Sequence, residues 1–240
     1  MIEQPRSEKT LIFIPTFNDI EFLPEIIKVV RELDDDYVPL VIDDGSSPRI
    51  NASELPKACL LFSLPENMGL GMCTHIALDH GAKYGYKALI RIDSDGQHPV
   101  SMVPELLSQI HNGVADLVVG TRKNHAEGSG IGNLLRNFVK SYFSTVASWI
   151  TRGAVPRDVN SGFVALAHDA IVKLSTTNLE RFPEPQLLIE AHAAGLRIGE
   201  VEISQAPRQH GKTTLSITQA ARLIYRFSVF AVAEIVSFRR

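Results

Sequence analysis

The sequence predicts an α/β domain, a mostly parallel sheet with helices on both faces, and three observations carry that prediction. Short apolar runs alternate with amphipathic segments along the first half of the chain, which is the pattern of βαβ units whose strands are buried on both faces. Each run ends in polar or glycine-rich residues, as strands do where their carboxyl ends open into ligand-binding loops. At 240 residues, 45% hydrophobic and 21% charged, the chain can bury one sizeable core and is too apolar for long disorder.

The elements follow in order. Leu11 to Pro15 (LIFIP) is a strand stopped by its proline, and Pro39 to Ile42 is a second, stopped by Asp43 and Asp44. Between them Leu23, Ile26, Ile27 and Val30 recur at helical period within Ile20 to Leu33, giving strand, helix, strand. Leu60 to Leu64, Ala88 to Ile92 and Leu117 to Gly120 are the next strands, separated by helices over Gly71 to Tyr84 and Val100 to Asn112. The second half is less regular. Ile131 to Ile150 is amphipathic, with Arg136 and Lys140 interleaved among Leu134, Phe138, Tyr142 and Trp149, and strands resume near Gly162 to Ala167 and Arg197 to Ile203.

The C-terminal stretch Phe227 to Phe238 is apolar apart from Ser228, Glu234 and Ser237, yet shorter than the roughly 20 residues that span a bilayer. Ile217, Ala220, Ala221, Ile224, Phe227 and Ala231 recur at helical spacing on one face, with Arg222 and Arg226 on another. That pattern suits an interfacial helix and equally a helix packed on the domain core or on a second subunit, which would make a homo-oligomer.

A net charge of -3 gives no reason to expect nucleic acid as a partner, since phosphate-backbone binding needs a basic excess. Cys59 and Cys73 have neither metal-site nor disulfide-scaffold spacing. The segment Met1 to Lys9 is polar and mixed in charge, without the apolar stretch of a secretory signal. The expected compartment is the cytoplasm, with peripheral contact at the inner face of a membrane.

Two carboxylates one residue apart at a strand end can converge on a hard cation and leave positions open for phosphate oxygens. Asp93 and Asp95 stand so, after the strand ALIRI and before Gly96, Gln97, His98 and Pro99. Asp34 to Asp36 repeats the pattern but follows a helix, and reads as a solvated loop. Asn67, Gly69 and Gly71 form a glycine-rich turn opening a helix, whose backbone N–H groups can face a phosphate or ribose; a tight turn with a helix cap explains it nearly as well. Asp43 and Asp44 can accept hydrogen bonds from a nucleotide, or build an Asx turn into Gly45. His98 follows the carboxylates and either shapes their site or caps the next helix.

Taken together, PTFND at 15 to 19, VIDDGS at 41 to 46, ENMGLG at 66 to 71 and DSDGQHP at 93 to 99 resemble the inverting family 2 glycosyltransferases, which have the GT-A fold, a Rossmann-like sheet. DVNSGFVAL at 158 to 166, FPEPQLLIEAHAAGLRIGEVEI at 182 to 203 and RQHGKT at 208 to 213 look most like the polyprenyl- and dolichyl-phosphate sugar transferases. The resemblance implies a glycosyltransferase domain over 1–213, its nucleotide half about 9–122 and its acceptor half about 123–213, followed by the amphipathic helix within 214–240. It implies that Pro15, Thr16, Asp19, Asp43, Asp44, Asn67, Gly69 and Asp93 line the nucleotide pocket. Asp93, Asp95 and Gln97 would hold Mg2+ or Mn2+ against the diphosphate of a UDP- or GDP-linked sugar.

The same resemblance implies that Asp158 and Glu184 are the acids on the acceptor side, either of them the base if the acceptor is a sugar hydroxyl. A lipid phosphate is already anionic and needs cations to position it instead; Arg208 and Lys212 are the candidates. The expected reaction is transfer from a nucleotide sugar to polyprenyl phosphate. The alternatives are transfer to a hydroxyl of a growing glycan and, in another class, a nucleotide-sugar-binding subunit without catalysis.

Overall fold

The computed structural model describes residues 7–122, 131–177, 179–180, 183–204 and 216–237. Seven strands form one sheet: β1 (Ser7–Thr16), β2 (Tyr37–Asp43), β3 (Leu60–Ser63), β4 (Tyr86–Arg91), β5 (Leu117–Arg122), β6 (Val164–Ala167) and β7 (Ile198–Ile203), in the spatial order β3-β2-β1-β4-β6-β5-β7. All neighbours are parallel except β6, which runs antiparallel to β4 and β5.

Helices cover both faces. They are α1 (Leu23–Leu33), α2 (Leu70–Lys83), α3 (Val103–His111), α4 (Ile131–Ile150), α5 (His168–Leu174), α6 (Glu184–Ala193) and α7 (Ile217–Ser237). The alternation of side chains along β1 sorts the core into two layers. Leu11 and Phe13 point to a cluster with α2, α4, α5, α6 and α7, while Ile12 and Ile14 point to one with α1 and α3. This is the doubly wound α/β architecture that the sequence predicts.

Two connections place the site. The order reverses at β1, whose neighbours β2 and β4 leave by crossovers on opposite sides, so their carboxyl ends part and open a cleft. Because β6 is antiparallel, the turn that precedes it, Asp158 to Phe163, lies at the carboxyl ends of β4 and β5. The pairing of Arg91 with Val164 and of Val119 with Val164 fixes that turn's height against the cleft.

The face of α7 carrying Ala220, Phe227 and Ala231 is buried, with Phe227 4.6 Å from Phe143 of α4 and Ser228 hydroxyl-bonded to Tyr142 at 2.7 Å. Burying a phenylalanine contributes about 1.5–3 kcal/mol, so these contacts dock the helix on the domain. A different stripe of α7 is exposed and apolar: Tyr225, Val229, Val232 and Val236. Leu134, Phe138 and Trp149 form a second such stripe on α4. Among the described residues no helix is long and apolar enough to cross a membrane.

Candidate active site

A cleft of about 260 Å³ at the carboxyl ends of β1, β2 and β4 is lined by Pro15, Thr16, Asp19, Asp44, Arg91, Asp93 and Asp95, with Leu70 and Cys73 from α2. Four segments far apart in sequence thus meet there. The loops lock to one another: the Asn18 N–H donates to Ser46 Oγ at 2.8 Å, and the Ser47 N–H to Asn18 Oδ1 at 2.8 Å. Thr16 Oγ1 donates to the Asp19 carbonyl at 2.6 Å.

The adjacent aspartates after β2 divide their work. Asp43 is fully buried and accepts the N–H groups of Ser46 (2.9 Å) and Ile50 (3.4 Å) from its own loop, the Asx-turn arrangement, so only Asp44 of the pair lines the cleft. Asp44 accepts the N–H of Met68 at 2.7 Å, the N–H of Gly69 at 3.0 Å and the Asn67 amide at 2.9 Å. This corrects one expectation: the N–H groups of Met68 and Gly69 are taken by Asp44 and do not stand open for a phosphate. Gly69, at φ +93°, turns the chain into α2. A Cβ on Gly71 would lie 1.8 Å from the Glu180 carbonyl, so Gly71 serves close packing.

After β4 the carboxylates gather. Asp95 accepts the Gln97 N–H at 3.1 Å and the Gln97 side-chain amide, and Ser94 Oγ donates to Asp19 Oδ2 at 3.5 Å. Burial, and next the charge of Asp95, push the Asp19 carboxyl above its ordinary value, against the Ser94 hydrogen bond. Asp93 is held by the Arg91 guanidinium, Nε at 2.9 Å and Nη2 at 2.8 Å from Oδ1. The Asp93 N–H donates to His98 Nδ1 at 3.0 Å, which puts the ring proton on Nε2, 3.7 Å from Asp93 Oδ2. His98 is buried against Phe163, ring centroids 5.1 Å apart, and burial foremost lowers its pKa. It braces Asp93 as a neutral ring and caps no helix.

Among the described residues no group of three or more His, Cys, Asp or Glu forms a ready cation cage. Asp93 and Asp95 instead offer two hard-oxygen donors at an open cleft, a set that fits a divalent cation whose other positions go to a ligand's phosphate oxygens. Cys73 behaves as an inert packing group, its thiol pushed up to about 12 by burial above all.

Asp158 and Glu184, the two acids expected on the acceptor side, are both paired with arginines. Asp158 accepts Arg122 through both oxygens, Nε to Oδ2 at 2.7 Å and Nη2 to Oδ1 at 2.8 Å. Glu184, at the start of α6, accepts Arg91 Nη1 at 2.9 Å. A signal was present in each case: an arginine inside or ending an apolar strand must find a counter-charge once that strand is buried. Asp158 and Arg122, with Lys140, Ser141 and Arg157, line a polar groove of about 860 Å³ between α4 and the ends of β5 and β7. Arg208 and Lys212 lie outside the described residues.

The Glycosyl transferase family 2 model matches residues 11–171. A polyprenol monophosphomannose synthase of Mycolicibacterium smegmatis is 28% identical over 238 residues, 95% of this chain and 87% of that protein. An undecaprenyl-phosphate mannosyltransferase of Micrococcus luteus is 26% identical over 217 residues, 87% of this chain and 88% of that protein. Among solved structures, glucosyl-3-phosphoglycerate synthase from Mycobacterium tuberculosis, in complex with Mn2+ and UDP-glucose, shares the fold with a TM-score of 0.69 at 18% identity, over 95% of this chain and 79% of that one. The family match extends over more than half of the chain, and the protein therefore belongs to glycosyl transferase family 2, as a glycosyltransferase of GT-A fold.

Proposed function

We propose that this enzyme transfers a sugar, with inversion, from a nucleotide-sugar donor to a polyprenyl phosphate. The observation that carries the reading is the pairing of both candidate bases with arginine, Asp158 with Arg122 and Glu184 with Arg91. A proton taken by Asp158 would break its bidentate ion pair with Arg122, and one taken by Glu184 would leave Arg91 with Asp93 alone, so either acid gives up a largely buried ion pair to act as a base. A phosphate acceptor arrives already ionised and needs no such base. The groove sets Arg122, Lys140 and Arg157 beside Asp158, Glu200 and Glu202, so its formal charge is balanced and a phosphate would be held by these cations individually. The names of the mycobacterial and micrococcal relatives point the same way.

In this reading the donor's nucleotide occupies the cleft of Pro15, Thr16, Asp19 and Asp44, with Asn67 and Gly69 shaping its wall through Asp44. Asp93 and Asp95 would hold Mg2+ or Mn2+, with Gln97 orienting Asp95; the solved neighbour was obtained with Mn2+ and UDP-glucose. A cation there neutralises charge on the departing nucleoside diphosphate. Arg122, Lys140 and Arg157 aim the acceptor oxygen at the anomeric carbon from the side opposite the diphosphate, and Asp158 keeps the Arg122 fork oriented. The exposed apolar stripes of α4, which also lends Asn137, Lys140 and Ser141 to this groove, and of α7 suit a peripheral contact with the membrane that carries the acceptor.

The test has two arms. Thermal stabilisation by UDP, GDP and their sugars, with and without Mn2+, is expected for one nucleotide in the wild type and lost in Asp95→Ala. Transfer to a short-chain polyprenyl phosphate is then compared with transfer to soluble oligosaccharides. Turnover only on the oligosaccharides, abolished by Asp158→Asn, would replace the phosphate acceptor with a glycan hydroxyl.

A further inference from the structure

We propose that Arg91 is a positioning residue of the donor site: its buried guanidinium holds the Asp93 carboxylate in ligating orientation, and Glu184 is the counter-charge that lets it do so. This rests on the reading of Asp93 as a cation ligand.

Arg91 closes strand β4 with a side chain only 6% exposed. Burying a lone guanidinium costs several kcal/mol, and here two carboxylates meet it, Asp93 two residues on along the chain and Glu184 from the start of α6. Nε and Nη2 both contact Asp93 Oδ1, and Nη1 contacts Glu184 Oε1. One hydrogen bond and one ion-pair contact to the same oxygen fix the rotation of the Asp93 carboxylate, while Nε2 of His98 approaches the other oxygen. The turn before β6 is shaped to this pair: a Cβ on Gly162 would lie 2.6 Å from Arg91 Nη2 and 2.8 Å from Asp93 Oδ2.

The charges explain why a second acid is needed. A guanidinium paired with Asp93 alone would make a neutral couple and set a positive charge beside any cation that Asp93 is to bind. Glu184 offsets that charge, so the triad of Arg91, Asp93 and Glu184 keeps one net negative charge, at the cleft. Glu184 therefore acts through Arg91, and not as a base at the acceptor. Lysine cannot replace the arginine, because a single ammonium does not present the fork that spans both carboxylates.

The experiment measures Mn2+ binding by the EPR signal of the free ion, with UDP or GDP present, in the wild type, Arg91→Lys and Glu184→Gln. Nucleotide affinity without metal and transfer rates across a Mn2+ series are measured alongside. Both variants are expected to weaken Mn2+ binding about 10-fold or more, the usual effect of removing an outer partner of a ligand. Metal-free nucleotide affinity should stay within about 2-fold, and transfer should recover towards wild type at saturating Mn2+. If Arg91→Lys does not fold, Glu184→Gln decides alone, since its amide oxygen still accepts from Arg91. Unchanged Mn2+ affinity overturns the proposal, as does a parallel loss of metal-free nucleotide binding, which would mark a merely structural role. Transfer abolished in Glu184→Gln at saturating Mn2+, with Mn2+ affinity intact, would make Glu184 the base. A wild type that binds Mn2+ with neither nucleotide would overturn the donor-site reading itself.

Discussion

Arg122 grips both carboxylate oxygens of Asp158, so that the end of β5 and the turn before β6 are tied by a bidentate ion pair at 2.7 and 2.8 Å. Asp158 is only 6% exposed. Removing the arginine alone takes the bidentate partner from that carboxylate, and breaking a buried pair from one side costs about 3–5 kcal/mol. Arg122→Met should therefore lower the urea midpoint more than Arg122→Met with Asp158→Asn, where no charge is left behind. Equal losses in the single and double variants would show that the pair is not coupled.

Gly162 has no room for a methyl group between Arg91 and Asp93. Gly162→Ala should force the pair apart, at about 1–3 kcal/mol for overpacking, and weaken metal-dependent nucleotide binding with it. Calorimetry and nucleotide titration with Mn2+ measure the two effects. A variant as stable as wild type with undiminished metal dependence would mean that the turn yields instead.

Asp44 gathers the 67–69 turn through two backbone N–H groups and the Asn67 amide. Asp44→Ala leaves those donors without their acceptor, at about 1–3 kcal/mol for each one buried. Nucleotide affinity should fall both with and without Mn2+. This contrasts with Asp95→Ala, where only the metal-dependent part should go, and the pair of titrations separates wall from ligand.

Much of this was legible in the residues. LIFIP, PLVI and ALIRI end in the loops that line the cleft, because strands buried on both faces leave a continuous apolar signal. The antiparallel sense of β6 left no such mark, since register and direction are set by partners and not by VALA itself. Helices α5 and α6 were missed for local reasons: α5 has seven residues and no side-chain cap, and α6 buries Leu187, Leu188 and Ile189 in succession, without an amphipathic period. The site motifs showed which residues gather at the strand ends. They could not show that Asp43 faces its own loop while Asp44 faces the cleft, because adjacent carboxylates differ only by which N–H groups the folded loops bring to them. Arg91 hid in a strand pattern, where a charge reads as an exposed position until its two counter-charges are seen.

Asp19 gives a pH signature. Its folded pKa is raised, by burial first and Asp95 second, so the unfolded chain ionises more readily and the carboxylate opposes folding once it is charged. That penalty is complete above the folded pKa and fades as pH falls through it towards the unfolded value of 3.8. Asp19→Asn should therefore raise the melting temperature at pH 7, by a margin that shrinks through the acid carboxylate range. Bound Mn2+ should shrink it too, at neutral pH, because a cation by Asp95 removes the repulsion. A margin constant with pH would place its origin in packing.

The exposed stripes of α4 and α7 can be tested apart from the chemistry. Phe138 and Val229 are 61% and 53% exposed, so glutamate at both positions disturbs no buried contact and should leave the melting temperature and nucleotide binding unchanged. If the stripes meet a bilayer, the wild type co-sediments with anionic vesicles and Phe138→Glu/Val229→Glu does not, since each glutamate loses apolar burial and adds repulsion from the surface. Transfer to polyprenyl phosphate embedded in those vesicles should then fall, while transfer to a short, water-soluble polyprenyl phosphate should hold. A wild type that ignores vesicles but sediments as a dimer, dissociated by the same two substitutions, would assign the stripes to a second subunit and leave the acceptor to reach the Arg122 groove from solution.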